Sequence, residues 1–77
     1  AARTWRIEKD WFLLDVRVPV GATAEVHLPA RDPATVYEAD WPADQAPGVR
    51  LEHTGGGRVV YKVGSGAYNF KVRPYKQ

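Results

Sequence analysis

The stretch "VRVPVGATAEVHLPA", residues 16–30, decides the fold. Val16 and Val18 alternate with Arg17, and Ala24, Val26 and Leu28 alternate with Glu25 and His27. Successive side chains of a strand face opposite sides, so each run reads as a half-buried strand. Pro19 and Pro29 close the two runs, because proline donates no ladder hydrogen bond. Gly21 lies between them, where a tight reversal favours a residue that accepts positive φ.

Working outward, the period of two persists. Trp11–Val18 places Phe12, Leu14, Val16 and Val18 on one face, and Trp11, Leu13, Asp15 and Arg17 on the other. Residues 23–28, 49–53, 58–63 and 67–72 repeat the pattern. "TWRIE" is a weaker case with Trp5 and Ile7, and "TVYEA" at 35–39 is a short edge candidate. "GGG" at 55–57 and "GSG" at 64–66 separate strands as hairpin loops do. "DWPADQAPG" at 40–48 reads as an ordered loop. No segment carries a helical stripe of useful length. The expected fold is all-β, a small antiparallel two-sheet sandwich. Trp11, Leu13, Tyr37 and Val60 fall on the opposite faces and need cover. Either the twisted sandwich buries them itself or they form a docking surface.

The chain has 77 residues, which suits a single domain over 1–77. A domain of this size buries only about 60% of its unfolded surface, so its core is thin. There is no Cys to brace it or to supply a thiolate. The net charge is +2, with basic residues scattered except for Lys71, Arg73 and Lys76. A dense basic stripe would mark a nucleic-acid binder, and none is present. No apolar run approaches the roughly 20 residues of a membrane helix. The expected partners therefore include neither nucleic acid nor membrane. The expected state is soluble, with a parent protein either cytoplasmic or secreted. No signal peptide is visible, and a first residue other than Met suggests an excised or processed piece.

The residues do not assemble an obvious active site. A metal centre needs three or four ligands brought together. Glu25 and His27 share one strand face but read as a surface pair. His53 falls on an apolar face and reads as a hydrogen-bonded core or rim histidine. Ser65 is the only serine, and "VGSGAY" is not a nucleophile elbow. The glycine runs lack the spacing and following helix of a phosphate loop. No acid sits on an apolar face where burial would raise its pKa, as paired glycosidase carboxylates require. No catalytic, cofactor-binding or metal residue is assigned, and no cofactor is expected. Trp5, Phe12, Tyr61, Tyr68 and Phe70 read as core. Trp11, Tyr37 and Trp41 remain as contact residues for a protein interface or a sugar ring, with protein contact favoured. Tyr37 and Trp41 form the test pair for a coplanar sugar platform.

Two blocks carry a family resemblance. In "FLLDVRVPVGATAEVHLPA", 12–30, the residues Val18, Pro19, Val20, Gly21, Thr23, Ala24, Val26, Leu28 and Pro29 match a signature, with Ala22 and His27 as variations. In "VVYKVGSGAYNFKV", 59–72, Val63, Gly64, Ser65, Gly66, Tyr68 and Phe70 match, with Ala67 and Asn69 as departures. "VYEA" at 36–39 resembles a third segment but lacks its Ser-Gly, and Trp5 matches a Trp ahead of the first signature strand. The chain thereby resembles the C-terminal β-sandwich domain of bacterial α-L-rhamnosidases of glycoside hydrolase family 78. The resemblance implies an accessory domain beside an (α/α)6 catalytic barrel of the same parent chain. The catalytic acids would lie on that barrel, so none transfers here, and the chain alone is not an enzyme. The implied role is structural packing on the barrel, with a carbohydrate-binding module as the alternative. The family's domain starts with a further strand upstream of Trp5, so the sandwich is expected to lack a first strand.

Overall fold

The computed structural model describes residues 2–75, so Lys76 lies outside the described residues. The strands are β1 (Ala2–Glu8), β2 (Trp11–Val18), β3 (Ala24–Leu28), β4 (Val36–Glu38), β5 (Trp41–Pro42), β6 (Val49–Gly55), β7 (Arg58–Val63) and β8 (Gly66–Val72). Short 3-10 turns cover Pro33–Thr35 and Ala43–Gln45. The wide sheet has the order β1-β2-β8-β4-β5, the narrow sheet β3-β7-β6, and every pairing is antiparallel. The fold is an all-β, two-sheet antiparallel sandwich. No helix among the described residues is long and apolar enough to cross a membrane.

The opening stretch carries the chain from one sheet to the other. β2 belongs to the wide sheet and β3 to the narrow one. Between them the Ala22 N–H donates to the Pro19 carbonyl at 3.1 Å, and Gly21 has φ +83°. A positive φ at the third position is what a type II turn demands, and glycine meets it without steric cost.

"GSG" behaves differently from the expectation. β7 and β8 are not paired but lie in opposite sheets, so residues 64–65 form a second arch, not a hairpin loop. "GGG" does close a hairpin, with Gly55 opposite Arg58 and positive φ at Gly56 and Gly57. The segment 40–48, expected as loop, holds the two-residue strand β5 and a 3-10 turn. β5 pairs with β4, so "VYE" is flanked on both sides and is not the edge.

The core lies between the sheets. Leu14, Val16 and Val18 of β2 meet Val26, Leu28, Val59, Tyr61 and Val63 of the narrow sheet, with Phe70 and Val72 beside them. Tyr61 stacks on Phe70 across the sandwich with ring centroids 5.9 Å apart. Burying each such side chain contributes roughly 1.5–3 kcal/mol. Val36 and Ala43 seal one side. Val60, which needed cover, is buried on the far face of β7 beneath the cross-strand neighbours His27 and His53.

Candidate functional site

The wide sheet has five strands and the narrow sheet three. That mismatch creates the most exposed aromatic surface of the domain. Trp5 pairs with Leu14 in register, so it points to the inner face. The facing sheet ends at β3, and Trp5 is left 63% exposed. The expectation that Trp5 belongs to the core is therefore corrected: its face is right, but nothing lies opposite. Its ring stacks on Phe12 at 5.9 Å and 15°, and Phe12 meets Tyr75 at 5.3 Å. Phe12 is half-buried, as is Tyr68, while Tyr61 and Phe70 are buried as expected. Arg3 bridges the overhang, its Nη2 donating to the Glu25 carbonyl of β3 at 2.6 Å.

The outer face of the same sheet holds Trp11 and Tyr37. Trp11 and Tyr37 meet edge-on, 6.4 Å apart at 61°, and the Arg73 guanidinium sits 5.2 Å from the Trp11 ring centroid. Arg73 also donates from Nε to the Asp10 carboxylate at 3.0 Å. Arg6 pairs with Glu8 at 2.6 Å. Both ion pairs are exposed, so each contributes at most about 1 kcal/mol. Leu13 lies beside Trp11, and both are half-buried. Tyr37 and Trp41, the test pair for a sugar platform, stand at neighbouring positions of the β4–β5 pairing. Trp41 stands opposite Glu38, whereas Tyr37 stands opposite Pro42, so the two rings leave opposite sides of the sheet. Trp41 is 59% exposed.

Beyond Leu13, sequence reasoning missed a polar row. Asp15 of β2 stands opposite Asn69 of β8 on one side and Thr4 of β1 on the other. The Asn69 Nδ2 donates to the Asp15 carboxylate, and the Asn69 backbone N–H donates to Glu38 Oε2 at 3.0 Å. This row lines a depression of about 570 Å3, and a neighbouring one of about 440 Å3 shares Asn69. The departure of Asn69 from the family motif was the signal available for it.

The histidines lie on the outer face of the narrow sheet. His27 Nε2 is 3.2 Å from Glu25 Oε1, an exposed pair. His53 is exposed, not a core histidine. The register shifts between Leu51 and His53, so a bulge turns His53 to the solvent face beside Val60. Among the described residues, no group of three or more His, Cys, Asp or Glu could hold a metal ion. Among the described residues Tyr61 carries the one clear pKa shift, pushed up to about 12 by burial and by the nearby Asp44 charge.

Fold and surface together define a small antiparallel β-sandwich domain with no assembled catalytic cluster among its described residues. The model of the bacterial alpha-L-rhamnosidase C-terminal domain family matches residues 1–40, and the chain belongs to that family. The match takes in the β2–β3 arch and stops before the second arch. No curated protein and no solved structure matches the chain.

Proposed function

We propose that this domain is a non-catalytic structural module that packs against the (α/α)6 catalytic barrel of an α-L-rhamnosidase-like glycoside hydrolase. The parent enzyme would hydrolyse terminal α-L-rhamnosides with acids carried on its barrel. The observation that supports this reading is Trp5, 63% exposed and stacked on Phe12 over a ledge that the narrow sheet does not reach. An aromatic with an already ordered ring gives up little entropy on docking and buries much apolar area. Trp11 and Tyr37 suit this role less well, because both are half-buried on the outer face, away from the ledge. Trp41, at the opposite end of the wide sheet, is a secondary contact candidate.

The test is calorimetric titration of the chain into the parent's separately produced catalytic domain. Trp5→Lys should weaken binding about tenfold or more, as loss of an aromatic anchor does. Trp11→Lys should leave the affinity nearly unchanged. No binding by the wild type, or equal binding by the Trp5 variant, would overturn the reading.

A further inference from the structure

The outer face of the wide sheet is the opposite side from the Trp5 ledge, and the docking reading does not use it. Its register gives four rows across β1, β2 and β8. Glu8 stands beside Trp11, Arg6 beside Leu13 and Lys71, Thr4 beside Asp15 and Asn69, and Ala2 beside Arg17 and Ala67. The small side chains Ala2, Thr4 and Ala67 leave space on either side of Asp15 and Arg17 on the central strand. The two depressions of about 570 and 440 Å3 share Asn69 as a lining residue, and we take them together as one trough. From Trp11 to Arg17 the strand rise gives it a length of about 20 Å. That is the reach of a short oligosaccharide, not of a single sugar.

We infer that this trough is a binding site for a neutral oligosaccharide, with Trp11 as stacking platform and Asp15, Asn69, Arg17 and Lys71 as hydroxyl partners. Four observations carry it. First, the acceptors are held in place before any ligand arrives. Asn69 is tied to Asp15 through its side chain and to Glu38 through its backbone N–H. A fixed carboxylate accepts from adjacent hydroxyls, and ordered polar groups lose little entropy on binding. Second, Arg17 and Lys71 form no ion pair among the described residues and supply donors along the walls. Third, the Trp11 ring is braced by the Tyr37 edge and the Arg73 guanidinium, which fix its orientation. Fourth, charge excludes other ligands. Asp15 and Glu38 repel a phosphate backbone, while their balance against Arg17 and Lys71 leaves no net charge to recruit one. A peptide strand pairs with the edge of a sheet, and this is a face, where no main-chain groups are offered.

The test is a two-dimensional amide NMR titration of the chain with millimolar tetrasaccharides of glucose, galactose and xylose, and with a galacturonate tetrasaccharide. A neutral tetrasaccharide should move the Trp11 indole and the Thr4, Asp15 and Asn69 amides. Asn69→Ala should weaken that binding about fivefold, the value of one hydrogen bond. Trp11→Ala should weaken it as well, and Trp5→Lys should leave it unchanged. Dispersed spectra that no neutral sugar moves would overturn the inference. So would binding of the uronate alone, which would mark a cationic patch, or shifts confined to Trp5 or Trp41. Loss of docking through Trp5 and loss of sugar binding through Asn69 read out separately, so either can fail without the other.

Discussion

Tyr61 is fully buried, and its hydroxyl has no hydrogen-bond partner among the described residues. Its ring fills the middle of the core against Phe70, while the hydroxyl gives up water for nothing in return. Burial and Asp44 raise its pKa to about 12, against about 10 for an exposed phenol. Below pH 10 both the folded and unfolded chains keep the proton, so the shift has no effect there. Between about 10 and 12 the unfolded chain releases it and the folded chain does not, so stability falls as pH rises. The loss reaches about 3 kcal/mol once both forms have passed their pKa. Tyr61→Phe should abolish that alkaline slope in urea unfolding, and at pH 7 it should match or exceed the wild type by about 1 kcal/mol. A clear loss of stability at pH 7 would mean that the hydroxyl is satisfied by an internal water.

Between β1 and β8 the chain changes sheets four times, and the last crossing, the arch between β7 and β8, is held by a small cluster. Gly64 N–H donates to the Gly48 carbonyl at 3.2 Å, and the Tyr68 hydroxyl donates to the Gly64 carbonyl at 3.0 Å. Gly48 has φ +79°, and a Cβ there would lie 2.8 Å from the Tyr68 hydroxyl oxygen. Gly48→Ala therefore meets a left-handed backbone penalty and dislodges Tyr68 from the arch. The expected cost is about 2 kcal/mol, most of it the backbone term, measured as a lower urea midpoint at unchanged slope. A neutral result would show that Tyr68 swings away freely. Much of this level was legible in the sequence. The period of two marked every strand of three or more residues, and the glycines marked each reversal near them. It could not say which sheet a strand joins: Gly64-Ser65 and Gly56-Gly57 look alike as punctuation, yet one crosses the sandwich and the other closes a hairpin. His53 was misplaced because a bulge shifts the face without leaving a mark in the apolar pattern. Trp5 was misplaced because alternation assigns a face but not what stands opposite it. The Asp15–Asn69 row left only the Asn69 departure as a mark, because its members are 54 positions apart and meet only through strand register.

Across the whole molecule, stability should be uneven in a way that follows the two sheet widths. β2, β7 and β8 carry the buried side chains of the core and are hydrogen-bonded on both sides. β1 and β6 are edges, and each has a single half-buried residue, Ile7 and Val49. Amides of β8 and β7 should therefore exchange only through global unfolding, while those of β1 and β6 exchange through local opening at lower free energy. In the isolated chain, hydrogen exchange should be slowest at Val59, Tyr61 and Phe70, and faster along Arg3–Ile7. The proposed docking gives this ordering a second use. A catalytic domain seated on Trp5 removes the solvent side of β1 but touches neither β6 nor the outer trough. Exchange along β1 should then slow on complex formation, while Arg50–Thr54 of β6 keeps its free rate. A tetrasaccharide in the trough should instead slow β1 and β8 together, through Thr4 and Asn69. If β1 is already as protected as β8 in the isolated chain, the overhang is rigid without a partner. The exposed Trp5 would then be a tolerated surface aromatic and not an anchor awaiting cover.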